Sequence, residues 1–239
     1  MIKEAIILAG GLGTRLKSVI QDIPKPMAPV AGKPFLEYLF CFLKQQGIEK
    51  VILSTGYKHE VIEAHFGNRW NNLQIEYVIE EKPLGTGGAI KLALNKTQTD
   101  QILILNGDTF FAVDLRKFFR FHYEKKANIS IAAKKMDDLS RYGSFTFEDN
   151  FRITDFIEKK ERKNGYINGG IYLIDKNSLP LDKVPEKFSF EKTILMEKVK
   201  ELQIFAFPAG NYFIDIGIPE DYDHAQTELP QFFQQHLHS

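Results

Sequence analysis

Three short apolar runs limit what this chain can fold into: Ala5-Ile6-Ile7-Leu8-Ala9, Val51-Ile52-Leu53-Ser54-Thr55 and Ile102-Leu103-Ile104-Leu105. Each is aliphatic without polar alternation, the pattern of a strand buried on both faces. Apolar residues recur at helical spacing over 35–46, 60–66, 88–94 and 115–125. Continuous strands alternating with helices of about ten residues predict a mainly parallel sheet covered on both sides. After residue 127 the rhythm changes. Strands are expected at 129–133, 144–147, 153–158, 170–174 and 204–207, with helices at 190–199 and from 220 onward. Pro230 is expected to interrupt the last helix, because it lacks an N–H and crowds the preceding turn. No repeat, low-complexity tract or Gly/Ser/Pro-rich hinge marks a boundary. The expected fold is α/β: a Rossmann-like, three-layer α/β/α single domain over 1–239 with a mixed central sheet, its halves meeting near 127 and 128.

Composition narrows the function classes. The 239 residues carry 31 Lys+Arg against 31 Asp+Glu, so the formal net charge is zero. With no long basic run either, nucleic acid is not expected as the main ligand. Cys41 is the only cysteine, so no internal disulfide framework exists. Within Phe40-Cys41-Phe42 it reads as core. No apolar run approaches the roughly 18 residues that span a membrane. Met1-Ile2-Lys3-Glu4 leads straight into a strand pattern, leaving no room for a signal peptide. A cytoplasmic protein without membrane or nucleic-acid partners is the expectation. The six histidines show no metal-ligand spacing. The Phe-rich segment Phe118-Phe119-Arg120-Phe121, and Phe232, Phe233 and Leu237 in the polar tail 231–239, are candidates for a homo-oligomer contact.

The strongest local signal is Leu8-Ala9-Gly10-Gly11-Leu12-Gly13-Thr14-Arg15-Leu16, directly after the first strand. Glycines let backbone N–H groups approach an anion, and a helix start adds a favourable dipole. Arg15 can set a planar guanidinium against phosphate oxygens. A P-loop would need Lys-Ser/Thr where Thr14-Arg15 stands. A dinucleotide fingerprint would need a small residue at Leu16 and an acid near Ser54-Thr55-Gly56-Tyr57. A tight strand-to-helix turn would also explain the glycines alone. Downstream, Pro24-Lys25-Pro26-Met27 holds Lys25 between two prolines, which suits a charge that must be aimed; a solvated loop lysine is the plain alternative. Asp108, in Asn106-Gly107-Asp108-Thr109, sits at the end of an apolar strand, where α/β folds bind ligands. A carboxylate there suits Mg²⁺, and a turn or capping role is the alternative.

Together these segments resemble the sugar-1-phosphate nucleotidylyltransferases, through Gly-Gly-x-Gly-Thr-Arg-Leu followed by Pro-Lys-Pro. The resemblance implies a nucleotidyltransferase fold of the GT-A-like kind, with nucleotide binding in about 1–127 and sugar binding in about 128–239. It implies that Leu8, Ala9, Gly10, Gly11, Gly13 and Thr14 wrap an NTP whose phosphates Arg15 and Lys25 hold. Leu84-Gly85-Thr86-Gly87-Gly88-Ala89 is similar to the family's Leu-Gly-Thr-Ala-Gly segment, with Gly87 in place of the usual Ala; it implies that Gly85, Thr86 and Gly88 line the base and ribose pocket. Glu80 and Glu81 fall where the family contacts the base, and a guanine N1–H with its 2-amino group would suit either carboxylate. Ile214-Asp215-Ile216-Gly217-Ile218-Pro219 resembles the Asp-x-Gly-x-Pro element, which implies Mg²⁺ held by Asp108 and Asp215. Glu158 and Lys159 match a Glu-Lys pair for sugar hydroxyls and sugar phosphate, although on composition 158–163 is a solvated charge run. Asn168 and Gly169 match an Asn/Ala-Gly stretch facing the sugar, and Gly143, in Arg141-Tyr142-Gly143, a glycine near it.

Within the family, 24–29, 80–88 and 166–170 look like the short bacterial D-glycero-D-manno-heptose 1-phosphate guanylyltransferases. The resemblance therefore implies GTP and a heptose 1-phosphate as substrates, and GDP-heptose for a cell-surface polysaccharide such as a capsule or S-layer glycan. Mannose 1-phosphate guanylyltransferase and glucose 1-phosphate thymidylyl- or uridylyltransferase are the alternatives. A catalytically inactive sugar-nucleotide sensor is the reading outside enzymes. It would tend to lose charged groups, and Arg15, Lys25, Asp108, Lys159 and Asp215 are all present.

Overall fold

The first apolar run forms β1 (Glu4–Leu8), which lies in the interior of the central sheet. The computed structural model describes residues 2–11, 23–157, 163–210 and 212–236. From residue 23 the chain makes a 3-10 turn (Lys25–Met27) and a small ribbon, β2 (Pro29–Val30) with β3 (Lys33–Pro34). It continues through α1 (Phe35–Gln45), β4 (Lys50–Thr55), α2 (His59–Phe66), β5 (Arg69–Trp70), β6 (Leu73–Ile79) and α3 (Gly85–Leu94). β7 (Gln101–Asn106), β8 (Thr109–Phe111) and α4 (Leu115–Glu124) follow. Beyond them come β9 (Ile129–Asp138), β10 (Ser144–Phe147), β11 (Ile153–Ile157) and β12 (Lys163–Asp175). A wide-turned helical segment (Phe190–Met196), β13 (Ile204–Ala209), β14 (Phe213–Asp215) and α5 (Pro219–His236) complete it.

The sheet is mixed. β1 pairs in parallel with β4 and β7, and β6 extends it in parallel beyond β4. β12 is the joint: it runs antiparallel to β7 through Ile171–Asp175 and also pairs with β9 and β10. One sheet therefore crosses residue 127 without a hinge. Ala5 and Ile7 face a core shared with α1, α2, α4 and α5, while Ile6 faces the opposite core with α3 and the Phe190–Met196 segment. All three are fully buried, which is why the run shows no alternation.

The expected strands and helices are present, with instructive differences. β12 reaches back to Lys163, well before the expected 170–174, because pairing with β9 extends it. β6 was not anticipated, although Leu73-Gln74-Ile75-Glu76 alternates as a strand should. Pro230 does not interrupt α5, which runs through it to His236. An interior proline costs about 3 kcal/mol. Burial of Tyr222, Leu229 and Phe233, at about 1.5–3 kcal/mol for each large apolar side chain, offsets it. The aromatic tail likewise packs within the chain: Phe233 meets Tyr38 and Phe110 at 5.3 Å, and Phe232 stacks on Tyr212 at 5.2 Å. In α4, Phe118 is fully buried and Phe121 lies 5.2 Å from Phe207. Phe119, Phe121 and Phe232 stay partly exposed, and Leu237 lies outside the described residues. Among the described residues no helix is long and apolar enough to cross a membrane.

Candidate active site

Gly10 and Gly11 leave the sheet at the C-terminal ends of parallel strands, the edge at which open α/β sheets bind ligands. Backbone bonds fix that exit. Ala9 donates to the Ser54 carbonyl at 2.7 Å, and Gly107 donates to the Leu8 carbonyl at 2.9 Å. A Cβ on Gly107 would lie 2.6 Å from that same carbonyl oxygen, so only glycine lets β7 close on β1 here. Above this edge opens a cavity of about 460 Å³ lined by Leu8–Gly11, Lys25, Glu80, Gly85, Thr86 and Asp108. These are nine of the residues expected to bind nucleotide, brought together from five separate segments. Asn106 and Gly107 line it too; sequence reading passed over both, although each adjoins Asp108 at a strand end. Gly13, Thr14, Arg15, Glu158 and Lys159 lie outside the described residues.

On one wall stands a charged cluster. Lys25 Nζ is 2.5 Å from Asp108 Oδ2, with side chains 9% and 35% exposed. The 3-10 turn between Pro24 and Pro26 aims that lysine, its Met27 N–H bonded to the Pro24 carbonyl at 2.8 Å. Asp215 joins them through tertiary pairing. β14 runs antiparallel to β8 with Asp215 opposite Thr109, and Ile216 donates to the Asp108 carbonyl at 3.0 Å. Asp215 Oδ1 accepts the Gly217 N–H at 2.7 Å. A Cβ on Gly217 would stand 2.8 Å from Asp215 Oδ1 and 3.2 Å from Lys25 Nζ, so ammonium and carboxylate flank one point. Two hard carboxylates converging this way suit a divalent cation that takes its remaining ligands from phosphate and water. Among the described residues no group of three or more His, Cys, Asp or Glu is assembled for a metal.

The opposite wall separates Glu80 from Glu81. Glu80 points into the cavity, accepting from Leu84 N at 3.0 Å and Ser54 Oγ at 3.3 Å. Burial pushes its pKa above the ordinary carboxylate value, against the pull of those two bonds. Glu81 is exposed and lines a different hollow, together with Gly88. The Gly85–Gly88 glycines answer to packing. Cβ atoms at Gly85 and Gly88 would meet the Phe188 and Glu186 carbonyl oxygens at 2.6 and 2.4 Å, and one at Gly87 would meet the Phe188 ring at 2.1 Å. That ring explains why Gly87 replaces the usual Ala.

Gly143, Asn168 and Gly169, expected to face the sugar, gather around a bulge in β12. Register shifts between Asn168 and Tyr172, and Gly170 takes a φ of 72°, a conformation that favours glycine. Asn168 is held on three sides: its N–H donates to the Gly143 carbonyl at 3.1 Å, Oδ1 accepts from Gly170 N at 3.1 Å, and Nδ2 donates to the Tyr172 hydroxyl at 2.9 Å. Gly169 lies against the Phe111 ring, where a Cβ would come within 2.5 Å. Gly143, Asn168, Gly169 and Asp215 do not line the 460 Å³ cavity. The β14–β8 pairing nonetheless sets Asp215 beside Thr109, the residue after Asp108.

Comparison with known proteins places the chain among relatives. The nucleotidyl transferase family model matches residues 4–231. The chain is 51% identical over 229 residues to the D-glycero-alpha-D-manno-heptose 1-phosphate guanylyltransferase of Aneurinibacillus thermoaerophilus, covering 96% of this chain and 99% of that one. It is 50% identical over 221 residues to the enzyme of that name from Campylobacter jejuni, covering 92% and 97%. The crystal structure of HddC from Yersinia pseudotuberculosis complexed with GMP-PN superposes with a TM-score of 0.82 at 39% identity, covering 97% of this chain and all of that one. With a family model over most of its length and relatives at 50–51% identity, this chain belongs to the nucleotidyl transferase family.

Proposed function

We propose that this protein transfers a guanylyl group from GTP to D-glycero-α-D-manno-heptose 1-phosphate, giving GDP-heptose and pyrophosphate. The observation that carries the reading is the cavity in which Gly10, Gly11, Lys25, Glu80 and Asp108 converge at the strand ends. The relatives named above supply the choice of base and sugar. On this reading residues 1–127 bind nucleotide, 128–239 bind the sugar phosphate, and the work is done in the cytoplasm.

The chemistry follows from two anions meeting. An oxygen of the sugar phosphate attacks the α-phosphorus of GTP in line; the bond from that phosphorus to the β-phosphate oxygen breaks, and pyrophosphate leaves. The attacking phosphate is already ionised at neutral pH, so no general base is needed. The protein's task is positioning and charge neutralisation. Lys25, with Arg15, neutralises the triphosphate and then the leaving pyrophosphate. Asp108 and Asp215 would hold Mg²⁺, which supplies Lewis-acid stabilisation of the reacting phosphates. Lys159 holds the nucleophilic phosphate, and Glu158, Asn168, Gly143 and Gly169 shape the sugar pocket. Glu80 reads guanine: Leu84 N and Ser54 Oγ occupy one acceptor position on each oxygen, and each oxygen keeps a second for the N1–H and 2-amino donors.

The test is pyrophosphate release in Mg²⁺, crossing GTP, dTTP, UTP, CTP and ATP with heptose, mannose and glucose 1-phosphates. Turnover confined to GTP with the heptose phosphate is the expected result. Turnover with another pair would keep the mechanism and replace the substrates. Nucleotide binding without turnover on any pair would favour the sensor.

A further inference from the structure

The first turn of α3 lines the nucleotide cavity, yet what holds it there comes from the other half of the chain. Residues 181–191 run along the β6–α3 segment as a strap. Leu181 accepts from Lys91 Nζ at 2.7 Å, Glu186 pairs with Lys82 at 2.9 Å, and Phe188 exchanges backbone bonds with Leu84 and Gly87 at 3.0 Å each. The strap ends on Glu191, whose Oε2 accepts from Thr86 Oγ1 at 2.6 Å and from Ser189 Oγ at 2.8 Å. Thr86 Oγ1 in turn accepts the Phe190 N–H at 2.9 Å. The Thr86 hydroxyl is thus committed as donor and as acceptor, and its side chain has no free donor for a nucleotide. What Thr86 contributes is the placement of its own turn.

Glu186 ends on Lys82, which does not line the cavity, whereas Glu191 ends on Thr86, which does. Glu191 also stands near the sugar side. The Phe190 ring packs edge-on against Tyr172 at 5.5 Å, and Tyr172 carries the hydroxyl that receives Asn168 Nδ2. Burial first, and the charge of Glu191 next, raise the Tyr172 phenol above its ordinary pKa, so that charge is felt there. Resting on the guanylyltransferase reading for its ligands, we infer that Glu191 is a positioning residue: it is the strut by which the second half of the chain fixes the α3 turn of the nucleotide cavity. Nothing in its sequence surroundings signalled this, because Ser189 and Glu191 look like an ordinary helix start.

Both hydroxyls bond to the same oxygen, so a glutamine carbonyl can receive both, whereas alanine leaves the Thr86 hydroxyl without its acceptor. In steady-state kinetics Glu191→Ala is expected to raise the KM for GTP about tenfold, the scale of one lost hydrogen bond to a charged group. The kcat should change by less than about threefold, as expected when binding of ground state and transition state is lost alike. Glu191→Gln is expected to stay within about twofold of the parent. An unchanged KM in Glu191→Ala, a fall in kcat alone, or a Glu191→Gln as impaired as Glu191→Ala would each overturn the strut. If Glu191→Ala does not fold, Thr86→Val removes the same bond and is expected to raise the KM alike; Thr86→Val with the parent's KM would overturn it. Calorimetric GTP binding separates this inference from the reading beneath it. A parent that binds GTP without turnover loses the reading but still must bind about tenfold more tightly than Glu191→Ala, and equal dissociation constants would sink the strut.

Discussion

Gly10 and Gly11 stand at an open edge of the sheet, whereas the strap 181–191 packs against Gly85, Gly87 and Gly88. A Cβ at Gly11 would meet nothing within 4 Å, and one at Gly10 would crowd only the end of the flexible Glu80 side chain, at 2.5 Å, with Gly56 N at an ordinary 3.6 Å. The same construction at Gly85 and Gly88 runs into backbone oxygens of Phe188 and Glu186. Both stretches read alike in sequence, as glycines beside a strand end or a helix start. The first faces open space at the cavity, where on the proposed reading the nucleotide approaches. The second is glycine-rich where the strap 181–191 packs on it, and it lines the cavity at Gly85 and Thr86. A glycine cluster reports a close approach without saying what approaches.

The comparison can be broken experimentally, and the largest effect should come from the charged wall above the first stretch. Asp108→Ala is expected to lower turnover at least about 10²-fold, the scale of removing one preorganised electrostatic group. Turnover in Mg²⁺ that matched the parent would remove Asp108 from the reaction. Next comes the second stretch itself. Gly88→Ala must displace both the Glu186 backbone and Leu84, an overpacking expected to cost about 1–3 kcal/mol and several degrees of melting temperature. A melting temperature equal to the parent's would mean that the strap yields easily and that the contrast between the stretches is false.

Smaller effects sharpen the contrast. Glu80→Gln exchanges one acceptor oxygen for a donor facing guanine, so the KM for GTP should rise about tenfold while inosine triphosphate, lacking the 2-amino group, suffers less. The parent has its own pH signature. Because burial raises the Glu80 pKa, acidification should protonate it, and weaken GTP binding, at a higher pH than for an exposed glutamate. GTP affinity that held constant until the ordinary carboxylate range would count against Glu80 as the base reader. The smallest effect is Gly11→Ala, for which the melting temperature should stay within about 1 °C while GTP binding weakens, because the methyl group meets only the ligand's space. Loss of stability without loss of binding would reverse the roles of the two stretches.

Much of this was legible in the chain itself. The doubly buried strands announced their places through unbroken apolar runs, since a strand covered on both faces has no polar side to display. Lys25 and Asp108 could be picked out because local chemistry marks them, one by flanking prolines and the other by its place at a strand end. Where reading went astray, a long-range partner had overruled a local rule. Pro230 would break an isolated helix, but Tyr222, Leu229 and Phe233 are held by cores that no window of sequence contains. Phe121, Phe232 and Phe233 likewise pack on aromatic rings in distant segments.

The sequence by itself determined the layers, the buried strands β1, β4 and β7, the helices, and the residue types present at the strand ends. Those properties follow from periodicity and backbone preference within a few residues. Only the tertiary structure decided that Asp215 meets Asp108, through the β14–β8 register. It decided that Glu80 rather than Glu81 enters the cavity, since adjacent residues leaving a strand point to opposite sides. It decided also that Thr86 is held by Glu191. Each is a juxtaposition of groups far apart in the chain or facing opposite ways, and side-chain direction and strand register exist only once the sheet has closed.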